Sequence, residues 1–216
     1  GTGSFQAPQF VRNRLVGDRG QVDPEFSLLV VKQSTGTLAV LGSYAAHPTI
    51  LGGGTMVFSA EYPGAWQRAV EQATGGLALF AAGSVGSTSP KAPKGGFEGV
   101  EAMGQALAQE TLKALPSIPL KDQVQFDLLG VTLPLPELQA RLTESIRVRP
   151  WLASKVLPVG DETFLQGFRF DRTLWLSTPC DFSGELAVDL KSKARNFDSK
   201  LSITSFNGDY VGYVIP

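Results

Sequence analysis

The chain has 216 residues, 43% of them hydrophobic and 18% charged, with 19 Lys plus Arg set against 20 Asp plus Glu. A formal charge of −1 supplies no excess positive field to gather phosphates, which excludes sequence-independent nucleic-acid binding as a default activity. The single cysteine, Cys180, excludes an internal disulfide and any metal centre built from several thiolates.

Gly1 to Gln6 lacks the basic start and apolar core of a secretory signal, and no apolar run approaches the roughly 20 residues that cross a bilayer. Phe26 to Val31 and Thr37 to Tyr44 are β-rich runs around Gln33-Ser34-Thr35-Gly36, so they predict a hairpin. Ala45-Ala46-His47-Pro48-Thr49 and the cluster Gly52-Gly53-Gly54 then predict a loop on a strand end. Pro63, with Ala65, Trp66, Ala69, Val70 and Ala73 at helical spacing up to Gly75-Gly76, predicts a helix over 63–74.

Leu77 to Ala82 reads as a short strand, followed by the bare loop Gly83-Ser84-Val85-Gly86-Ser87-Thr88-Ser89-Pro90. Phe97 to Leu115 carries small and apolar residues at three and four and ends at Pro116, a second helix. Val124 to Leu135 reads as a strand that Pro134 and Pro136 confine to a sheet edge or a turn. A helix is expected over 137–147, and a hairpin from Thr163 to Phe170 and Thr173 to Ser177 around Asp171-Arg172. Ser183 or Asp181 caps a further helix to about Ala194, and Leu201 to Phe206 gives a last strand. This order predicts one α/β layered domain over 1–216, with mixed β-sheets flanked by helices.

His47, the only histidine, follows an apolar strand. Such a residue serves either as a structural hydrogen-bonding group or as part of a site held by a rigid scaffold. The loop ending Thr88-Ser89-Pro90 offers hydroxyls beside glycine N–H groups, which suits either a tight turn or an oxyanion-binding loop. Glu185 stands in the first turn of a predicted helix, where the helix dipole alone favours a carboxylate. Asn207-Gly208-Asp209-Tyr210-Val211-Gly212-Tyr213 is a turn bearing two tyrosines. His47, Ser89, Glu185 and Tyr213 each follow a predicted strand, the position at which α/β sheets assemble sites.

Asn13-Arg14, Val22-Asp23-Pro24-Glu25, Ala46-His47-Pro48-Thr49, Ser59-Ala60-Glu61-Tyr62-Pro63-Gly64, the 83–90 loop, Gly184-Glu185 and 207–213 occur in one order from near the start to the end of the chain. In that order and rough spacing the sequence resembles the neutral/alkaline (non-lysosomal) ceramidase family. The resemblance implies a zinc-dependent amidohydrolase that cleaves the N-acyl amide bond of ceramide or a related lipid amide. It implies zinc held by His47, Glu185 and Tyr213, with Tyr210 as the fallback if the turn is offset, and Ser89 as the catalytic serine. A zinc with N and O ligands and one open position polarises a carbonyl and lowers the pKa of bound water.

The sequence departs from the family pattern at three places. The family has a further metal-binding histidine in an upstream His-x-His segment, whereas His47 stands alone here. The family's Gly-Asp-x-Ser-Pro reads Gly86-Ser87-Thr88-Ser89-Pro90, and Glu61 replaces an Asp. The chain is therefore expected to be the central to C-terminal part of a larger ceramidase-like catalytic domain, paired with an upstream fragment of the same precursor. An extracytoplasmic location (secreted or periplasmic) and peripheral membrane contact follow by family analogy alone. The alternative is a ceramidase-like protein without catalysis that binds a lipid or a partner chain. A metal-free serine hydrolase using Ser89 and His47 ranks below both, because the Gly-x-Ser-x-Gly elbow is absent.

Overall fold

Two short strands open the fold, β1 (Thr2–Gln6) and β2 (Val11–Asn13), separated by a 3₁₀ turn at Pro8–Phe10. The computed structural model describes every residue except 138, 139, 141, 142, 144 and 157–159, and describes only the backbone at 154 and 156. The expected hairpin forms as β3 (Glu25–Lys32) and β4 (Leu38–Tyr44), paired antiparallel with Leu29 opposite Leu41. Phe26, Leu28 and Val30 alternate along β3 and are nearly fully buried, which gives this sheet one face toward the core.

Helix α1 (Glu61–Thr74) crosses over to β5 (Leu77–Ala82), which lies parallel to β4. The helix ends where Gly75 adopts the left-handed conformation at φ 66° and donates its N–H to Glu71 O at 2.8 Å. After β6 (Thr88–Pro90), which pairs antiparallel with β2, comes α2 (Gly96–Ala114). Tyr62, Trp66 and Val70 of α1 and Met103 and Leu107 of α2 are fully buried in one core with Phe26, Val40 and Tyr44. Trp66 Nε1 donates to Thr111 Oγ1 at 3.0 Å inside that core.

The two helices approach closely because residue 104 has no side chain: a Cβ at Gly104 would stand 2.4 Å from Ala65 Cβ and 2.8 Å from Tyr62 O. Gly104→Ala is thus expected to destabilise by about 1–3 kcal/mol, the usual cost of overpacking a filled core. Urea unfolding with an unchanged midpoint would contradict this packing.

The second half is a four-stranded sheet in the order β11-β9-β8-β7. Its edge strand β7 (Phe126–Pro134) is exposed along its whole length, as the prolines predicted. Of the helix expected over 137–147, residues 138, 139, 141, 142 and 144 lie outside the described residues, and the described residues of that span are not helical. A seven-residue helix unforeseen from the sequence, α3 (Pro150–Val156), precedes the expected hairpin β8 (Glu162–Phe170) and β9 (Thr173–Ser177). Then come β10 (Asp181–Phe182), α4 (Gly184–Arg195), β11 (Lys200–Thr204) and β12 (Tyr213–Val214). Ala187 and Leu190 of α4 pack on Leu201 and Ile203 of β11, a smaller second core. Mixed sheets flanked by helices are thus observed, as expected.

Candidate functional site

The parallel strands β4 and β5, and β9 and β11, end on one side, and the four loops beyond them hydrogen-bond to one another. Gly83 N donates to Tyr44 O at 2.9 Å, Ser205 N to Ala82 O at 2.9 Å, Thr178 N to Thr204 O at 2.8 Å and Gly86 N to Phe182 O at 2.8 Å. These bonds hold the loops that carry His47 and Asp181 together, whereas Ser89 and Tyr213 lie within the short strands β6 and β12.

His47 comes from the first of these loops and Asp181 from the third. Nε2 of His47 lies 3.3 Å from Oδ1 of Asp181, which is 2% exposed. The other oxygen, Oδ2, accepts the Tyr210 hydroxyl at 2.7 Å. The backbone fixes this group: Asp181 N donates to Gly212 O at 2.8 Å, and β10 pairs parallel with β12, Asp181 opposite Tyr213. Two buried atoms in the cluster, Nδ1 of His47 and Oδ1 of Asp181, make no well-formed hydrogen bond among the described residues. Burying such atoms without partners costs free energy.

Burial lowers the pKa of His47, Asp181 partly restores it and the positive charge of Arg14 lowers it again, leaving it below 6.5. The imidazole is neutral at pH 7 and keeps a free lone pair. The hydrogen bond to the Asp181 carboxylate pushes the Tyr210 phenol up to about 12. Cys180, adjacent to Asp181, is buried, and burial raises its thiol pKa, which makes it a poor nucleophile.

Glu185 occupies a different environment. Its carboxylate accepts from Asn13 Nδ2, from Ser87 Oγ and, at 2.9 Å, from Ser183 Oγ. Burial disfavours its charge, but the hydrogen bonds from Ser87, its own backbone N–H, Ser183 and Asn13 outweigh this and hold its pKa below 4.5. Ser183 caps α4, accepting from Leu186 N at 3.2 Å, which leaves Asp181 free of a capping role. Glu185 thereby delivers a carboxylate to the loop position where Ser87 stands.

Tyr213 lies under Arg14, whose guanidinium carbon is 4.8 Å from the ring centroid while Nη2 donates to Gly86 O at 2.8 Å. Ser89 sits on β6 opposite Arg12, whose Nε donates to its hydroxyl at 3.1 Å. No hydrogen bond joins Ser89 to His47 among the described residues.

The acidic group brought to His47 is thus Asp181, four residues before Glu185, and the phenol is that of Tyr210. Among the described residues no three His, Cys, Asp or Glu side chains gather around one point. One imidazole nitrogen, one carboxylate and one phenol oxygen are the donor types this cluster holds.

A mixed α/β fold with a polar donor cluster at its strand ends is the class these observations define. The fold is that of part of a neutral ceramidase. The crystal structure of neutral ceramidase from Pseudomonas aeruginosa superposes with a TM-score of 0.71 at 17% sequence identity, covering 99% of this chain and 46% of that one. A ceramidase complexed with C2 superposes with a TM-score of 0.72 at 16% identity, covering 99% of this chain and 47% of that one. The chain thus spans a little under half the length of either. No family model and no curated protein matches the sequence.

Proposed function

We propose that the chain supplies one side of the active site of a ceramidase-like amidohydrolase acting on ceramide or a related lipid amide, with zinc held by His47, Asp181 and Tyr210. The observation that carries this reading is the contact of His47 with Asp181 and of Asp181 with Tyr210 at the strand ends of a ceramidase fold. A zinc ion there would act as a Lewis acid on the amide carbonyl and lower the pKa of water toward neutrality. Three donors with a single imidazole are few for tight binding, so we infer that a further nitrogen ligand comes from chain beyond these 216 residues.

The remaining roles fall to residues of this chain. Asp181 faces the neutral imidazole through Oδ1, the buried oxygen left without a well-formed hydrogen bond, while Tyr210 holds Oδ2. Arg14 is held by Gly86 O and Tyr213 and presents its other N–H groups and its charge to the oxyanion or product carboxylate that amide hydrolysis creates. Ser89, hydrogen-bonded by Arg12, positions the acyl group or attacks it. Hydrolysis adds water across the C–N bond, leaving a fatty acid and an amine.

The single imidazole favours one other reading, a lipid- or partner-binding member without turnover. Zinc content of the complete protein and fatty-acid release from a short-chain fluorescent ceramide separate the two. Zinc with release, lost in excess chelator, is expected; zinc without release supports binding alone, and release that persists in chelator supports the metal-free serine route. Ser89→Ala is expected to keep its zinc and lose turnover.

A further inference from the structure

Arg14 is held at both ends by the 83–90 loop: its backbone N–H donates to Ser87 O at 2.9 Å and its Nη2 to Gly86 O at 2.8 Å. One carboxylate grips the residues on either side of this contact. Glu185 accepts from Asn13 Nδ2 through Oε1 and from Ser87 Oγ through Oε2, so it bonds to the side chain before Arg14 and to the residue whose carbonyl Arg14 uses. Both partners are buried, Asn13 at 1% exposure and Ser87 at 0%.

Each partner in turn fixes a stretch of backbone. Asn13 Oδ1 accepts from Leu15 N at 2.9 Å and Val16 N at 3.0 Å, a turn that closes around Arg14, and Asn13 Nδ2 also donates to Gln21 O at 3.1 Å. A Cβ at Gly20 would stand 2.3 Å from Asn13 Cγ, so the amide is packed in place as well as bonded. Ser87 Oγ accepts from Gly184 N at 3.0 Å, which ties the loop to the start of α4.

We propose that Glu185 is a positioning residue whose carboxylate, reaching in from α4, sets where Arg14 stands relative to His47 and Tyr213. The 83–90 loop has no acidic residue of its own to do this. Ser183 Oγ supplies a third bond to the carboxylate at 2.9 Å, and hydrogen bonds to an ionised acceptor are about twice as strong as neutral ones. A carboxylate serving only the dipole of α4 would need neither Asn13 nor Ser87. Arg14 bears on the site through the charge that lowers the His47 pKa and through its stacking on Tyr213. That Arg14 then meets an oxyanion rests on the proposed function; its placement by Glu185 does not.

Amide hydrogen exchange of the complete protein tests this, with the amides of α1 as the reference for global opening. Glu185→Gln turns one acceptor oxygen into a donor that faces donors, and Glu185→Ala removes the group. Both are expected to quicken exchange at the Arg14 N–H at least ~10-fold while α1 is unchanged. In Ser87→Asp/Glu185→Ala a carboxylate at position 87 enters the space that Glu185 leaves, and exchange should return to within ~3-fold of wild type. Unchanged exchange in both single variants, acceleration shared equally by α1, or a double variant no slower than Glu185→Ala would overturn the proposal. Hydrolysis of a short-chain fluorescent ceramide separates this from the functional reading. Glu185→Gln is expected to keep zinc and lose at least ~10-fold in kcat, an effect the double variant reverses. If no protein, wild type included, releases fatty acid while exchange responds as stated, the activity is refuted and the positioning role stands.

Discussion

His47→Ala is expected to weaken zinc binding by more than about 100-fold and to abolish turnover, because losing a ligand costs more than the 10–100-fold typical of an outer-shell partner. The imidazole is the only one in the chain, so no other can replace it. Asp181→Asn and Tyr210→Phe are expected to weaken zinc binding substantially, whereas Glu185→Gln and Tyr213→Phe should retain it within tenfold. Glu185 is engaged by Asn13, Ser87 and Ser183, and Tyr213 by Arg14. Isothermal titration with zinc checks all five. Loss in Glu185→Gln combined with retention in Asp181→Asn would return the carboxylate ligand to residue 185.

Lys191→Ala is expected to destabilise the fold by about 3–5 kcal/mol, the cost of breaking a buried ion pair and leaving its carboxylates unpaired. Lys191 is 7% exposed on α4, and its Nζ stands 2.8 Å from Asp23 Oδ2 and 2.9 Å from Glu25 Oε2. Ser84 Oγ adds a bond to Asp23 Oδ2 at 3.2 Å. This network joins the second half of the chain to the first sheet beside the 83–90 loop, so its loss also loosens the site. Denaturant titration gives the value, and a change under 1 kcal/mol would contradict the assignment.

The same network sets a pH window. Burial raises the pKa of Glu25, but Lys191 outweighs it and the net value is below 4.5; burial lowers that of Lys191, but Asp23 and Glu25 outweigh it and the net value is above 10.5. The contribution of Glu25 is therefore complete above pH 4.5 and lost as pH falls through the lower folded value. That of Lys191 is complete below 10.5 and lost as pH rises through the higher one. Unfolding midpoints in the wild type should fall on both flanks, and Lys191→Met should flatten the part of the acid flank that belongs to Glu25.

The long elements were legible because their periodicity is strong: β3, β4, β5, α1, α2 and the β8–β9 hairpin lie within a few residues of the expected spans. What escaped has no local signature. β1, β2, β6, β10 and β12 are two to five residues long, and their partners are distant in sequence: Thr2 pairs with Leu29, Arg12 with Ser89, Asp181 with Tyr213. Such short pieces are strands only because a remote segment completes their hydrogen bonds.

The sequence singled out loops at the strand ends, whereas the carboxylate that faces His47 is that of Asp181. Asp181 and Ser183 were equivalent capping candidates, and only the fold assigns the cap to Ser183. In the turn at 207–213 the resemblance implied Tyr213 with Tyr210 as the fallback; it is the Tyr210 hydroxyl that bonds to Asp181, while Tyr213 pairs with Asp181 along the backbone. The substitution at Ser87, which read as a lost carboxylate, is answered by Glu185 from α4, ninety-eight positions away.

Anomalous diffraction at the zinc edge, on crystals of the complete protein soaked in zinc, tests the central claim most directly. A peak within about 2.0–2.2 Å of a His47 nitrogen and an Asp181 oxygen, with the Tyr210 oxygen alongside, is the predicted result. A peak at Glu185 and Tyr213, or none near His47, would contradict it.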